Sequence, residues 1–355
     1  MSATASQPAK VRVAVVGTGA LGKSHARIYA ELARAGAVEF VGVHDTATKA
    51  AEETARACGV RAFASLDELA AASDALSLVT PTTTHFELAQ ALLQQGKHVL
   101  VEKPMTSEAA QAAALVELAH RQQCVLQVGH VERFNPVFKY LQTVATEPRF
   151  IEAHRLSPYP ARSTDIGVVL DLMIHDLDVV LAFVQSPVTR VDAVGIPVLS
   201  RSEDIANARL HFANGCVANL TASRVSPERL RKIRVFSGGA SPCYVSLDYR
   251  AQEGFIYRLA RDGEPESSAL RKLLAGGLGV GRDRLVVSQF GGKRIVREPV
   301  PIARDEPLKL ELQHFVACVR ERHTPLVSGE SAKRALDLAL EISQRIQAAE
   351  SFVAG

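Results

Sequence analysis

The side chains best suited to moving protons in this chain are one lysine and one aspartate–histidine pair. Lys103 stands in Val101-Glu102-Lys103-Pro104, at the end of a short apolar run that reads as a strand. Pro104 fixes the chain direction there and restricts Lys103 to extended backbone. Asp171 and His175 are four apart in a segment that reads as a helix, so both project from one face. An imidazole titrates near neutrality and a lysine ammonium stabilises developing negative charge, so the three make a plausible acid/base set.

A second constellation binds rather than reacts. Gly17-Thr18-Gly19-Ala20-Leu21-Gly22 follows the apolar run Val11 to Val16 and opens a helical pattern. In that context G-x-G-x-x-G is a dinucleotide cradle. The first glycine makes the tight turn, the second lets the backbone approach a pyrophosphate, and the third lets the helix pack on the sheet. The helix N-terminus adds free N–H donors and the positive end of its dipole. Asp45 ends the second strand, where a carboxylate accepts hydrogen bonds from the ribose hydroxyls and repels a 2′-phosphate. The expected cofactor is therefore NAD. Thr80-Pro81-Thr82-Thr83-Thr84-His85 ends a further strand. Its threonines could cap the next helix or touch the ribose and nicotinamide.

These residues need a parallel sheet to bring strand ends to one edge. The first third supplies one. Strands over Val11–Val16, Phe40–His44, Ala75–Thr80, His98–Glu102 and Val125–Val128 alternate with helical segments, which predicts a sheet covered on both faces. The texture changes from about Phe150 to Pro301. Short strands with turn signals predominate there, including Asn214-Gly215 and Gly291-Gly292 as two-residue hairpin turns. One helix, around Gly167 to Val184, interrupts them. The stretch Gly263 to Arg284 reads as a loop, and helices at Leu308–Glu321 and Ser331–Ala349 close the chain. The predicted fold is α/β: an N-terminal Rossmann domain over 1–130, then an α/β domain over 131–355 with an open, mostly antiparallel sheet.

Composition narrows the function class. The chain has 355 residues, with 41 Lys plus Arg against 38 Asp plus Glu, a net charge of only +3. That balance predicts no nucleic-acid partner. Met1 to Lys10 has neither a basic n-region nor an apolar h-region, and no run of apolar residues is long enough to span a bilayer. Cys58, Cys124, Cys216, Cys243 and Cys318 are dispersed, with no C-x-x-C pair. They read as reduced thiols in a cytoplasmic protein, not as a disulfide frame or zinc site.

Together, the Gly-rich turn, Thr80-Pro81-Thr82 with His85, Glu102-Lys103-Pro104 and Asp171-Leu172-Met173-Ile174-His175-Asp176 resemble the glucose–fructose oxidoreductase / inositol dehydrogenase / MocA family. The resemblance covers nearly the whole chain. It implies oxidation of a sugar or polyol carbon by a nicotinamide cofactor. Thr80, Pro81, Thr82, His85, Glu102 and Lys103 would join the Gly-rich turn and Asp45 around that cofactor. His175 would be the general base, Lys103 would stabilise the alkoxide and relay the proton, and Asp171 would orient the substrate or the imidazole. Lys103 as the base is the open variant. A metal trio of Asp171, His175 and Asp178 is disfavoured, because the resemblance implies metal-independent hydride transfer.

Gly129-His130-Val131-Glu132-Arg133-Phe134-Asn135-Pro136 is similar to the family branch acting on nucleotide-linked sugars, the 3-dehydrogenases of UDP-N-acetylglucosamine. This implies a UDP-linked substrate and a 3-keto product passed to an aminotransferase, for lipid A or surface polysaccharide. A diphosphate suits arginine forks. Arg155 and Arg162 are the expected contacts, with Arg224 a further candidate. The cluster Arg229, Arg231, Lys232 and Arg234 is either another candidate or a solvated sheet face. The resemblance also implies a homodimer or homotetramer. Two other functions stay open: an inositol or free-sugar dehydrogenase, and a non-catalytic NAD-binding sensor.

Overall fold

The computed structural model describes residues 10–159, 166–261 and 285–353. Arg162 and the stretch 263–284, expected from sequence as a loop, lie outside the described residues. The chain divides into two compact units, Met1–Val131 with Glu306–Asp337, and Glu132–Asp305 with Leu338–Gly355.

The first unit holds six parallel strands: β1 Arg12–Val16, β2 Glu39–His44, β3 Arg61–Ala62, β4 Ala75–Leu78, β5 His98–Val101 and β6 Leu126–Val128. Their order is β3-β2-β1-β4-β5-β6, so the chain reverses its winding between β1 and β4, the switch point at which such sheets bind ligands. β4 and β5 are buried at every position. This explains their continuous apolar sequence, since both sheet faces are covered. The connecting helices are α1 Ala20–Arg34, α2 Thr48–Cys58, α3 Leu66–Ala72, α4 Thr82–Gln94 and α5 Ala109–Arg121.

One boundary differs from the sequence expectation. Helix α8, Pro307–Glu321, was expected in the second domain. Its Leu312, Phe315, Val316 and Val319 instead enter the core cluster of Val13, Val15, Ile28, Tyr29 and Phe40. Burial of that apolar stripe assigns 306–337 to the first unit.

The second unit opens with a 3-10 turn at Val131–Phe134 and α6, Pro136–Val144. Its sheet has nine strands: β7 Pro148–Leu156, β8 Val188–Ile196, β9 Ile205–Phe212, β10 Val217–Ser223, β11 Leu230–Ser237, β12 Cys243–Asp248, β13 Glu253–Leu259, β14 Leu285–Phe290 and β15 Lys293–Pro299. The order is β14-β15-β13-β12-β11-β7-β10-β9-β8. Only β7 and β10 run parallel; the other pairs are antiparallel.

The Gly291-Gly292 turn has positive φ at both residues, as its sequence requires. The other hairpin is a three-residue loop. Gly215 donates to the Phe212 carbonyl and alone takes positive φ, so a type I turn followed by a left-handed glycine replaces the expected two-residue turn.

Helix α7, Ile174–Val184, packs against β7 and β10. Alternation along β7 sends Ile151, Ala153 and Arg155 to that covered face, and Phe150, Glu152 and His154 to the opposite one. The last helix, α9 Gly329–Val353, contributes to both units. Among the described residues, no helix is long and apolar enough to cross a membrane.

Candidate functional site

The parallel register of the first sheet puts the Gly-rich turn, Asp45, Thr80 and Lys103 at the carboxyl ends of β1, β2, β4 and β5. Gly17 has φ +91°, and a Cβ there would lie 2.4 Å from the Val79 carbonyl oxygen. A Cβ on Gly22 would lie 2.0 Å from the Gly17 carbonyl oxygen, whereas one on Gly19 meets nothing within 4 Å. Two glycines are therefore dictated by packing, and the third faces open space. Gly19, Ala20 and Leu21 are exposed, and α1 has no side-chain cap on its N-terminal amides. Those are the conditions a pyrophosphate needs.

Asp45 Oδ2 accepts from the Thr18 amide (2.6 Å) and the Thr18 hydroxyl (2.9 Å), and Oδ1 accepts from the Ala47 amide (2.8 Å). Burial alone would raise the Asp45 pKa, but these hydrogen bonds outweigh it and hold the carboxyl below its usual range. Asp45 thus stays ionised at neutral pH. It also braces the turn it serves, which leaves about one of an ionised carboxylate's four acceptor positions for a ribose hydroxyl.

Neither Thr82 nor Thr83 caps α4; Thr84 Oγ1 instead donates to the Pro81 carbonyl (2.8 Å) and lies within hydrogen-bond distance of Thr80 Oγ1 (2.8 Å). His85, expected among the cofactor contacts, is buried at 1 % exposure. Its Nδ1 meets the Pro104 carbonyl and its Nε2 the Thr80 carbonyl, each at 2.9 Å. The ring joins the turn after β4 to the turn carrying Lys103, so its role is to hold both turns. Burial lowers its pKa, opposed by those two carbonyls.

Glu102 is buried as well, and the Lys103–Pro104 peptide is cis. The Glu102 carboxylate reaches His25 Nε2 (3.2 Å) through Oε1 and accepts from the Lys103 amide (3.3 Å) through Oε2. Lys103 itself is half-buried. His25 was not singled out in the sequence, although a histidine three residues after Gly22, on the helix that the cradle opens, was the available signal.

Asp171 and His175 lie in the second unit, both half-buried. Asp171 falls within a π turn, Val169–Met173, that runs into α7. Such turns concentrate at functional sites, and a 3.6-residue pattern does not reveal them. His175 sits in the first turn of α7, followed by Asp176.

The expected diphosphate arginines fare differently. Arg155 is 3 % exposed. Its Nε and Nη2 donate to the two Asp176 oxygens, both at 2.9 Å, and its Nη1 donates to Glu132 Oε1 at 3.1 Å. Those bonds leave it unavailable to a substrate in this structure, and they anchor the start of α7. Arg224, fully buried, donates to Asp204 (2.7 Å), the Ile166 carbonyl (2.7 Å) and Ser200 (2.9 Å). The segment 129–136 is likewise drawn into packing. Glu132 Oε2 accepts from Asn135 (3.1 Å), and Arg133 pairs with Asp178 at 3.3 Å. Asp178 is thereby buried against an arginine.

A family model described as "Oxidoreductase family, NAD-binding Rossmann fold" matches residues 11–130. A second, the GFO/IDH/MocA C-terminal domain, matches residues 144–239. The chain belongs to the GFO/IDH/MocA oxidoreductase family.

Among its relatives, a UDP-N-acetylglucosamine 3-dehydrogenase of Acidithiobacillus ferrooxidans is 34 % identical, over 95 % of this chain and 98 % of that one. The solved structure of that enzyme superposes with a TM-score of 0.80. A scyllo-inositol 2-dehydrogenase (NAD(+)) of Bacillus subtilis is 25 % identical over 97 % of this chain and 94 % of its own. A putative myo-inositol dehydrogenase structure from Sinorhizobium meliloti, 22 % identical over 95 % of this chain and 97 % of its own, shares the fold with a TM-score of 0.72.

Membership in the GFO/IDH/MocA family makes the chain an NAD-dependent dehydrogenase acting on a CH–OH group. The cradle at Gly17–Gly22, the uncapped α1 terminus and the ionised Asp45 fit that cofactor.

Proposed function

We propose that this dehydrogenase oxidises the C3 hydroxyl of UDP-N-acetylglucosamine to the 3-keto sugar. The observation that carries this reading is the 34 % identity, spanning 98 % of the relative, to an enzyme named for that reaction. Bound NAD supplies the hydride acceptor. Gly17–Gly22, Asp45, Thr80, Pro81 and Thr82 hold it, and Glu102 and His85 keep the Lys103 turn in place. His175 accepts the proton of the C3 hydroxyl. Lys103 stabilises the alkoxide electrostatically as it forms and relays the hydroxyl proton to His175. Asp171 orients the sugar or the imidazole.

The further placement follows from this substrate. A 3-keto sugar is the input for an aminotransferase, and the amino-sugar would enter lipid A or surface polysaccharide in the cytoplasm. The open face of the nine-stranded sheet supports a homodimer or homotetramer. It carries the row Phe150, Phe236, Tyr244 and Tyr257, with ring centroids 5.6, 4.6 and 5.1 Å apart. Phe236 is 40 % exposed and the other three rings are half-buried, and an aromatic row left partly open in this way favours a protein cover.

The test is NADH formation with UDP-N-acetylglucosamine, UDP-glucose, inositol and glucose, with an aminotransferase or 2-oxoglutarate supplied to draw off an unfavourable equilibrium. Turnover confined to the UDP sugars is expected, with loss of turnover but retained NAD binding in His175→Ala and Lys103→Ala. Activity on free polyols alone would refute the substrate, and undiminished turnover in both variants would refute the mechanism.

A further inference from the structure

The cations of β11 divide between the two faces of its sheet. Alternation sends Lys232 and Arg234 to the open face, where Arg234 stands 3.6 Å from Glu152. It sends Arg231, with the buried Ile233 and Val235, to the face on which α7 packs. In the β7–β11 register Arg231 stands directly across from Arg155. Like charges facing one another across strands cost stability, so the second arginine needs a reason.

The local carboxylates supply only a loose ion pair, with Glu132. Both oxygens of Asp176 and one of Glu132 are taken by Arg155, and the other Glu132 oxygen by Asn135. Arg231 Nη1 lies 3.7 Å from Glu132 Oε1, within ion-pair distance but beyond hydrogen-bond range, and its side chain is 52 % exposed. Among the described residues its guanidinium makes no hydrogen bond. Partial burial and the Arg155 charge push its pKa down from the ordinary arginine value, opposed by Glu132 and Asp176 and aided by Arg250. The charges around Arg231 are those of Arg155 and Arg250 against Glu132 and Asp176, and both of those carboxylates already accept from Arg155. Tyr249, 3 % exposed, ends near the same groups with a hydroxyl that has no partner among the described residues.

We propose that Arg231 is the anion-recognition residue of the substrate site, its forked guanidinium binding the diphosphate of a nucleoside diphosphate sugar, with Arg250 adding field. Planar, two-pronged donation matches phosphate oxygens, and a guanidinium whose donors make no hydrogen bond to the described residues is what an anionic ligand completes. Arg155 holds the helix that carries His175, and Arg231 beside it reads the ligand. The proposal rests on the nucleotide-sugar reading above.

Calorimetric binding of UDP tests it, with steady-state kinetics for UDP-N-acetylglucosamine and NAD. Arg231→Gln should weaken UDP binding and raise the sugar nucleotide KM by roughly tenfold to a hundredfold, the range for one charged hydrogen-bonding partner. The NAD KM, the kcat at saturation and the melting temperature should hold. Arg231→Lys should recover part of the affinity, since it restores the charge but not the fork. UDP binding by Arg231→Gln as tight as that of a binding wild type would overturn the role of Arg231 alone. A wild type that ignores UDP would overturn the nucleotide-sugar reading, and this inference with it.

Discussion

Replacing Arg155 by methionine separates an anchoring arginine from a substrate-binding one. Methionine keeps much of the stem's length and removes the charge. Three hydrogen bonds are lost, two of 2.9 Å to Asp176 and one of 3.1 Å to Glu132. The stranded carboxylates are 8 % and 5 % exposed. Removing one partner of a buried ion pair costs about 3–5 kcal/mol, because the remaining charge stays buried without compensation. Glu132 keeps Asn135, and Arg231 can close on it, which favours the lower end of that range. At about 2–4 °C per kcal/mol for a domain of this size, the melting temperature should fall by roughly 6–20 °C, read by near-ultraviolet circular dichroism. Adding Asp176→Leu removes one stranded charge and should recover part of the loss. A single variant that melts within about 2 °C of the parent and shows a raised KM for the sugar nucleotide would refute the anchoring role.

Two further outcomes follow from the first unit. Asp45→Ala removes the acceptor that holds Thr18 and Ala47 and the charge that repels a 2′-phosphate. The NAD KM should rise by roughly tenfold or more and the preference over NADP should shrink; an unchanged preference would remove Asp45 from cofactor selection. His98 is buried, its Nδ1 accepts from the Val125 amide (2.8 Å), and burial, aided by Arg322, lowers its pKa to about 4. A folded-state pKa below the unfolded value makes its contribution full above about pH 6.5 and lost as pH falls through 4. Melting temperature should therefore drop over that interval in the wild type and drop less in His98→Gln; parallel curves would exclude His98 as a source of acid sensitivity.

The cofactor cradle was legible because its determinants are local. Three glycines, a preceding apolar strand and an acid at the next strand end are all short-range facts. Strand ends at Thr80 and Lys103 were legible for the same reason, since parallel order follows from alternation of elements. The arginines were not. Arg155, Arg224 and Arg231 are alike in sequence, and only the pleat, the register and the whereabouts of Asp176, Asp204 and Glu132 distinguish them. β7 and β8 are faint in the sequence, because Pro148–Leu156 and Val188–Ile196 interleave charged residues with apolar ones and lack the pure apolar signal of β4 and β5. The role of His85 was invisible because its two partners are backbone carbonyls.

The excursion of 306–337 into the first unit bears on the order of synthesis. A ribosome delivers β1 to β6 first, yet Leu312, Phe315 and Val316, which belong to the same apolar cluster as Val13, Val15 and Tyr29, emerge only after the whole nine-stranded sheet has been made. The nascent cofactor-binding sheet therefore waits with part of its apolar surface uncovered, and a fragment ending at Val131 lacks that side of its core.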